Sequence, residues 1–144
     1  MSTFKVFDIA GSGMAAQSVR INTVASNLAN ANSVSGDPQS VYRARHPVFE
    51  AVRGAVTGTA SAARQEAGAA VRVAGIVEAD APPMARYEPG NPLADANGYV
   101  YAPNVNVVEE MVDMISASRT YQNNVEVMNT SKDMLLATLR LGQS

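Results

Sequence analysis

Three small residues near the start of the chain have the spacing of a phosphate-binding loop. In the stretch DIAGSGMAAQ, Gly11, Gly13 and Ala16 match the G-x-G-x-x-G/A pattern that opens a dinucleotide-binding fold. That fold also needs a second strand after the helix, with an acidic residue about 20 positions further on. The sequence at that place is NLANANSVSGD, which has the composition of a turn. A small nucleotide-binding module is therefore a distant alternative, and we predict no cofactor.

A cluster of three carboxylates is the best candidate for acid–base chemistry. Glu109, Glu110 and Asp113 lie close together in the sequence, and paired carboxylates can act as general acid and base. They also follow Asn106, a residue type that favours the N-cap of a helix. Acidic side chains in a first helical turn are stabilised by the helix dipole, by about 0.3–1 kcal/mol each. We interpret the cluster as the start of a helix, with an interfacial salt bridge as the secondary reading, and predict no catalytic residue.

The remaining candidates for metal or nucleophilic chemistry are weak. His46 is the single histidine and the chain has no cysteine, which excludes a site built from several His and Cys ligands within one chain. No G-x-S-x-G motif marks a serine nucleophile. The stretch DANGY, from Asp95 to Tyr99, resembles the opening of a calcium-binding loop, but its twelfth position is Asn106 and not a glutamate. We predict a turn there, no metal site and no enzyme.

Composition narrows the classes of partner. The chain has 144 residues, a formal net charge of −2 and an isoelectric point of about 5.3, and its lysines and arginines are scattered singly. A nucleic-acid-binding surface would need a basic patch, so we predict no nucleic-acid partner. No apolar run approaches the roughly 20 residues of a membrane span. Residues 1–20 lack the pattern of a cleavable signal peptide. We therefore predict neither membrane insertion nor signal cleavage.

Two long helices are the elements that must position any functional residue. A row of large apolar side chains in the N-terminal segment is spaced by seven residues: Phe7, Met14, Ile21 and Leu28. This heptad spacing predicts a helix over about residues 3–31, with asparagine, serine and glycine stop signals from residue 30 to residue 36. Gly11 and Gly13 lie inside that helix, where each costs about 1 kcal/mol of helix stability relative to alanine. Either close approach of a second helix or delayed folding would explain them.

The C-terminal segment repeats the pattern. Its row of large side chains is again spaced by seven residues: Met114, Tyr121, Met128 and Leu135. After the Asn106 cap, neither proline nor glycine interrupts a helix over about residues 107–141. We expect the two rows to dock against each other, so that the terminal helices pair as an antiparallel coiled coil.

The middle of the chain has strand and turn composition. Residues 41–52 and 71–79 are strand candidates, the first of them interrupted by Pro47. The pair Asn97–Gly98 predicts a tight turn before a short strand at residues 99–101. Residues 53–70 are rich in alanine, glycine, threonine and serine, so we interpret them as a flexible excursion.

These elements together predict a fold that is mainly α with a small β-rich insert. We divide the chain into an N-terminal axial helix at 1–35, the β-rich outer insert at 36–104 and a C-terminal axial helix at 105–144. Amide side chains cluster in both helices, in ASNLANANS and in SASRTYQNN, although asparagine is a poor helix former. A frayed helix C-terminus would account for Asn30 or Asn32, but not for the second cluster, which lies in mid-helix. We therefore expect contacts on many sides within an assembly.

Longer stretches of the sequence resemble a known family. FDIAGSGMAAQSVRINTVASNLANANS, which begins at Phe7, is similar to the N-terminal signature of flagellar rod, hook and related axial proteins. The tail from Tyr87 to Gln143, YEPGNPLADANGYVYAPNVNVVEEMVDMISASRTYQNNVEVMNTSKDMLLATLRLGQ, resembles the proximal-rod branch of that family. Many members follow the asparagine-rich motif with a Gly-Phe-Lys-type turn, whereas this chain has VSGDPQSVYRARHPVF, as suits the proximal rod.

The resemblance implies a structural subunit of the bacterial flagellar basal body. Such proteins are exported unfolded through the flagellar type III export apparatus without signal cleavage. They then polymerise helically into the periplasm-spanning rod, a drive shaft around the export channel. The implied partners are copies of the chain, other rod proteins, the junction protein between rod base and MS ring, and the export apparatus. A different helical type III secretion component, such as a needle-like protein, is the alternative, but those are usually shorter and lack such an insert.

The helix rows and the amide clusters together make up the predicted assembly interface. Its residues on the first helix are Phe7, Met14, Ile21, Asn27, Leu28 and Asn30. Its residues on the second helix are Met114, Ser118, Arg119, Tyr121, Gln122, Val125, Met128 and Leu135. The insert is expected to form the outer layer of the assembly.

Overall fold

The structure is a computed structural model and describes residues 3–52 and 69–141. Its elements follow the chain in the order α1 (Thr3–Asn30), β1 (Arg45–Val52), β2 (Ala70–Glu78), β3 (Met84–Tyr87), β4 (Tyr99–Ala102) and α2 (Val107–Leu141). The helix α1 has 28 residues and α2 has 35. The predicted fold class, with two long terminal helices around a small β-rich insert, is confirmed.

Local hydrogen bonds explain where the helices begin and end. The Asn106 Oδ1 atom accepts hydrogen bonds from the backbone N–H groups of Val108 at 3.1 Å and Glu109 at 3.4 Å. This is the N-cap that the sequence predicts. After the last turn of α1, the Ser33 N–H donates to the Asn30 carbonyl oxygen at 3.0 Å. That bond satisfies one of the carbonyl groups that a helix end leaves without an intrahelical partner.

The two helices lie side by side in antiparallel directions, as predicted. Near the end of α1, Asn27 bonds Glu110 at the start of α2. Nearer the start of α1, Gly13 faces Asn124 in the middle of α2. Residue numbers therefore fall along one helix as they rise along the other.

The first two strands form an antiparallel ribbon that rests on α1. β1 pairs with β2 with Arg45 opposite Glu78, and the register shifts after Val48, as in a β-bulge. The Val71 N–H donates to the Ser12 hydroxyl of α1 at 3.1 Å. Because an isolated two-stranded ribbon is marginally stable in water, this contact with α1 helps to hold it.

The other two strands form a second antiparallel pair, which the sequence predicts only in part. β4 follows the predicted turn, where Gly98 has a φ of +82° and the Asp95 carboxylate accepts two backbone N–H bonds at 2.9 and 2.8 Å. β3 is missed by the sequence analysis because it comes directly after two prolines, a composition typical of a loop. The Tyr87 ring meets Tyr99 across this pair, edge to face, with ring centroids 5.3 Å apart.

The predicted excursion at residues 53–70 falls almost entirely outside the described residues, because the structure describes the chain again from residue 69. The strands predicted on either side of it are confirmed as β1 and β2. Pro47 lies within β1, and a two-stranded ribbon can accept a proline there because each of its strands has a free edge.

Candidate assembly surface

The side of α2 that faces α1 carries small and polar residues. We call the residues Glu110, Ala117, Asn124 and Ser131 the inner row; they are spaced by seven residues along one side of the helix. Three of them are buried, and Asn124 is half-buried. Buried positions on α1 are of similar size: Ala10, Ala16, Thr23, Val24 and Asn27.

The predicted rows of large side chains lie beside this buried strip. The half-buried members are Phe7, Met14, Ile21, Leu28, Met114, Met128 and Leu135, and Tyr121 is 37% exposed. None of them is among the buried core residues of the described chain. The smaller side chains therefore make the closest contact between the helices, and the large ones keep part of their surface at the edges of the pair.

The two glycines of the opening motif have different surroundings. A Cβ atom added at Gly13 would lie 2.9 Å from Asn124 Nδ2 and 3.3 Å from Asn124 Cγ, which is too close for an unmoved side chain. A Cβ atom added at Gly11 would meet nothing closer than Met128 Cε at 4.0 Å. Close helix approach therefore explains Gly13, while the surroundings of Gly11 within one chain leave room for a methyl group.

A buried amide joins three elements at one end of the helix pair. Asn27 on α1 is 0% exposed. Its Nδ2 group donates to the Arg45 carbonyl oxygen and to Glu110 Oε1, both at 2.9 Å. Its Oδ1 atom accepts from the Arg45 N–H and from the Tyr42 hydroxyl, both at 2.9 Å. The amide thus bonds Arg45 as a neighbouring strand would, and it links β1 to α2 through Glu110. We call this arrangement the Asn27 node.

A second polar pair crosses between the helices. Arg20 Nη2 of α1 lies 2.7 Å from Asp113 Oδ1 of α2, with side chains 28% and 41% exposed. An ion pair that is this open to solvent contributes little to stability, typically about 0–1 kcal/mol. Its geometry nevertheless depends on how α1 is placed along α2.

The outward side of α2 carries an exposed apolar surface. Four large side chains, Val108 (70% exposed), Met111 (52%), Val112 (60%) and Ile115 (54%), follow one another at helical spacing. We call these four residues the α2 band. The predicted interface includes none of them. The signal is present in the sequence as apolar residues at i, i+3, i+4 and i+7 in VVEEMVDMI, on a different side of the helix from the heptad row.

The amide-rich segment of α2 lies partly at the surface of the single chain. Arg119 and Gln122 are exposed and Ser118 and Val125 are half-buried. On α1, by contrast, Asn30 donates to the carbonyl oxygen of its own helix at Ser26, at 2.8 Å.

Comparisons with known proteins find family models that match each of the two helical termini of the chain and relatives that match nearly its whole length. The family model "Flagella basal body rod protein" matches residues 7–36, and "Flagellar basal body rod FlgEFG protein C-terminal" matches residues 96–141. The flagellar basal-body rod protein FlgC of Salmonella typhimurium is 54% identical over 143 residues, 99% of this chain and 100% of that protein. The FlgC of Escherichia coli O157:H7 is 54% identical over 145 residues with the same coverage. The FlgC of Aquifex aeolicus is 41% identical over 138 residues, 96% of each chain. This chain belongs to the FlgC family.

Membership of the FlgC family establishes the function in its general form. The chain is a structural subunit of the flagellar basal-body rod and assembles with other rod proteins. The family is not enzymatic. The predicted family resemblance is confirmed.

The residues that could have carried chemistry have other surroundings in this FlgC-family chain. Gly11, Gly13 and Ala16 lie inside α1, not in a loop after a strand. Glu110 belongs to the Asn27 node, and His46 is exposed beside a groove of about 340 Å³ between the helices and β1. Within residues 3–52 and 69–141, no group of three His, Asp or Glu side chains is placed to hold a metal. In the same described part of the chain, neither helix has the length and apolar character that crossing a membrane requires.

Proposed function

We propose that this FlgC-family chain contacts its neighbours in the rod mainly through the outward side of α2. The observation that carries the proposal is the α2 band, whose four large aliphatic side chains are each more than half exposed in the single chain. Permanent interfaces bury apolar surface of this kind. Burying one such side chain contributes about 1.5–3 kcal/mol, so a contact repeated at each subunit would contribute substantially to rod stability.

The residues predicted from the heptad rows and amide clusters would extend this surface. Tyr121 and the exposed edges of the half-buried rows border the helix pair, where a neighbouring helix could cover them. Arg119 and Gln122 would supply polar contacts at the rim, which is where charged and amide groups are common in protein interfaces. Asn27 is buried, so it would not contact a neighbour and would contribute by stabilising the fold of the subunit.

The finer description of the assembly is also a proposal. The axial helices, 1–35 and 105–144, would form an inner layer around the export channel, and the insert, 36–104, would form the outer layer. Partners would be copies of the chain, other rod proteins, the junction protein between rod base and MS ring, and the type III export apparatus. Export without cleavage predicts that chains recovered from periplasm-spanning rods keep their original N-terminus, which mass spectrometry of isolated basal bodies can check.

The proposal is tested by placing a charge in the α2 band. Ile115→Asp should abolish rod incorporation and swimming in a strain that lacks its own copy of the protein, because an unpaired charge opposes burial at an interface. Asn129→Asp is the matched control, since it adds the same charge to an exposed position of the same helix, outside both the band and the amide-rich segment. It should leave incorporation intact. Normal rods with Ile115→Asp would contradict the proposed contact.

A further inference from the structure

Shape defines the register of α1 on α2 only in part: a slip by one heptad would relax the contact at Gly13, although it would bring Asn124 or Glu110 to the position where Ala117 is 0% exposed. If α2 slipped by one heptad, Gly13 would face Ala117 or Ser131 instead of Asn124, and both of these side chains are smaller than asparagine. The largest fully buried side chains in the described chain are Val100 and Asn27, and Val100 lies in β4. Among the described residues of the two helices, Val24 is the only large apolar side chain that is buried, and the side chains of the heptad rows are at most half-buried.

Polar pairing, in contrast, depends strictly on register. In the observed register, Asn27 Nδ2 donates to Glu110 Oε1 at 2.9 Å. A slip by seven residues would place Ala117 opposite Asn27, or Pro103, which precedes α2. Neither residue has a side-chain acceptor, and the Glu110 carboxylate would lose its amide donor.

The second polar pair would be lost in the same movement. Arg20 lies 2.7 Å from Asp113, and a slip by seven residues would place Thr120 or Asn106 opposite it. No carboxylate would then face the guanidinium group at that position. Both pairs thus select the same register of the helices.

We infer that Asn27 and Glu110 act as a register lock for the helix pair, with the Arg20–Asp113 pair as a weaker, more exposed supplement. A buried polar side chain that selects one register among similar apolar alternatives is the best-attested use of such groups between helices. Because Asn27 also bonds the backbone of Arg45, the same side chain places β1 relative to both helices. This inference concerns the single chain and does not depend on the proposed neighbour contacts.

The lock has a consequence for the surface of the subunit. A slip of one heptad would move the α2 band by about 10 Å along the helix axis relative to α1 and β1. Any neighbour that contacts both α2 and the insert would then meet its two contacts at the wrong distance. A fixed register therefore keeps the distance between the α2 band and the surface of the insert constant.

One other feature could set the register of the helices, and its effect must be distinguished from that of Asn27 and Glu110. Ser35, which follows α1, pairs with Tyr101 of β4 through backbone hydrogen bonds of 2.9 and 2.8 Å. β4 leads into α2 through residues 103–106. Ser35→Pro removes one of these bonds by removing the N–H group, and it leaves Asn27 and Glu110 unchanged.

The absence of cysteine from the chain allows register to be read with engineered disulfides. Gly13→Cys with Asn124→Cys reports the observed register, and Gly13→Cys with Ser131→Cys or Ala117→Cys reports a slip. The slip reporters also carry Asn124→Ala, so that the Asn124 side chain does not crowd the new Cβ atom at residue 13. The pairs are compared in the full-length purified chain by oxidation rate, with helix content measured by circular dichroism. With Asn27 and Glu110 present, the 13–124 pair should oxidise fastest by about tenfold, the factor that corresponds to one net hydrogen bond.

The expected result is that Asn27→Ala with Glu110→Ala removes this preference, so that a slipped pair oxidises at a comparable rate while helix content is kept. Glu110→Gln, which retains an acceptor oxygen for Asn27, should keep the original preference. The inference is overturned if the double-alanine variant still favours the 13–124 pair, or if it loses its helix content, which would make the node a requirement for folding. A change of register caused by Ser35→Pro alone would assign the role to the β4 connection instead.

Discussion

The two sides of α2 differ in the opposite sense from those of an ordinary amphipathic helix. The side that faces α1 carries the inner row, in which Ala117 and Glu110 are buried. The outward side carries the α2 band, in which Val108 and Ile115 are exposed. A surface helix of a self-contained domain usually turns its large apolar side chains towards the core. Here the side with small and polar residues is buried against α1, and the side with large apolar residues remains exposed in the single chain.

This difference separates two tasks within one helix. Small residues such as Gly13 and Ala117 let α1 and α2 approach closely, and the Asn27 node gives their contact a defined register. The α2 band contributes little to the single chain because it is not buried there. A structural subunit of the FlgC family needs both properties, since it must have a defined fold and must also bind its neighbours through its surface.

The largest effect on the buried side should come from Asn27→Ala. This change leaves the Arg45 backbone, the Tyr42 hydroxyl and the Glu110 carboxylate without their amide partner, so we expect a loss of about 3 kcal/mol in the free energy of unfolding. Urea unfolding followed by circular dichroism measures it. Asn30→Ala, which removes a bond only to its own helix, should cost less than about 1 kcal/mol. Equal losses for the two variants would remove the special role of the node.

A pair of size changes tests the contrast between the two sides directly. Ala117→Leu adds volume to a position that is 0% exposed, and overpacking of this kind costs about 1–3 kcal/mol. Ile115→Ala removes volume from an exposed position, so it should cost the isolated chain less than about 1 kcal/mol. Thermal unfolding of both purified variants gives the comparison. If Ile115→Ala destabilised the single chain as much as Ala117→Leu, the band would already be part of its core.

The smallest effect is expected at the two glycines of α1. Gly11→Ala should raise the free energy of unfolding by up to about 1 kcal/mol, because alanine favours the helix and its Cβ has room. Gly13→Ala should show no such gain, since its Cβ would lie 2.9 Å from Asn124 Nδ2 and would force that side chain to move. The two variants differ only in position, so each is the control for the other. An equal gain at both positions would argue against close helix approach at Gly13.

Much of the fold could be predicted because its signals are local. Heptad spacing and the Asn106 cap predict α2 over residues 107–141, the bounds that the structure has. The tight turn at Gly98 follows from its own sequence. β3 is missed because a short strand after prolines has no local signal, and its place is set by pairing with β4.

The contacts of the helix pair were harder to predict for a physical reason. Asn27 bonds residues 18 and 83 positions away in the chain, so its role depends on tertiary structure and not on a local pattern. The heptad rows led us to predict that the largest side chains make the helix contact. In the structure, the smallest side chains lie where the helices approach most closely. The α2 band was visible as helical periodicity, but a sequence does not say which of two apolar stripes will be covered within the chain. The interface residues predicted from the sequence remain a prediction.

The central claim is that the α2 band is exposed in the single chain and covered in the rod, and cysteine labelling tests it most directly. The chain has no cysteine of its own, so Ile115→Cys provides one thiol, and Asn129→Cys provides a control on the same helix, outside both the band and the amide-rich segment. We predict that a maleimide reagent labels Ile115→Cys readily in the purified chain and at least about tenfold more slowly in isolated basal bodies, as expected for a thiol that is buried on assembly. Labelling of Ile115→Cys at the same rate in both states would contradict the account.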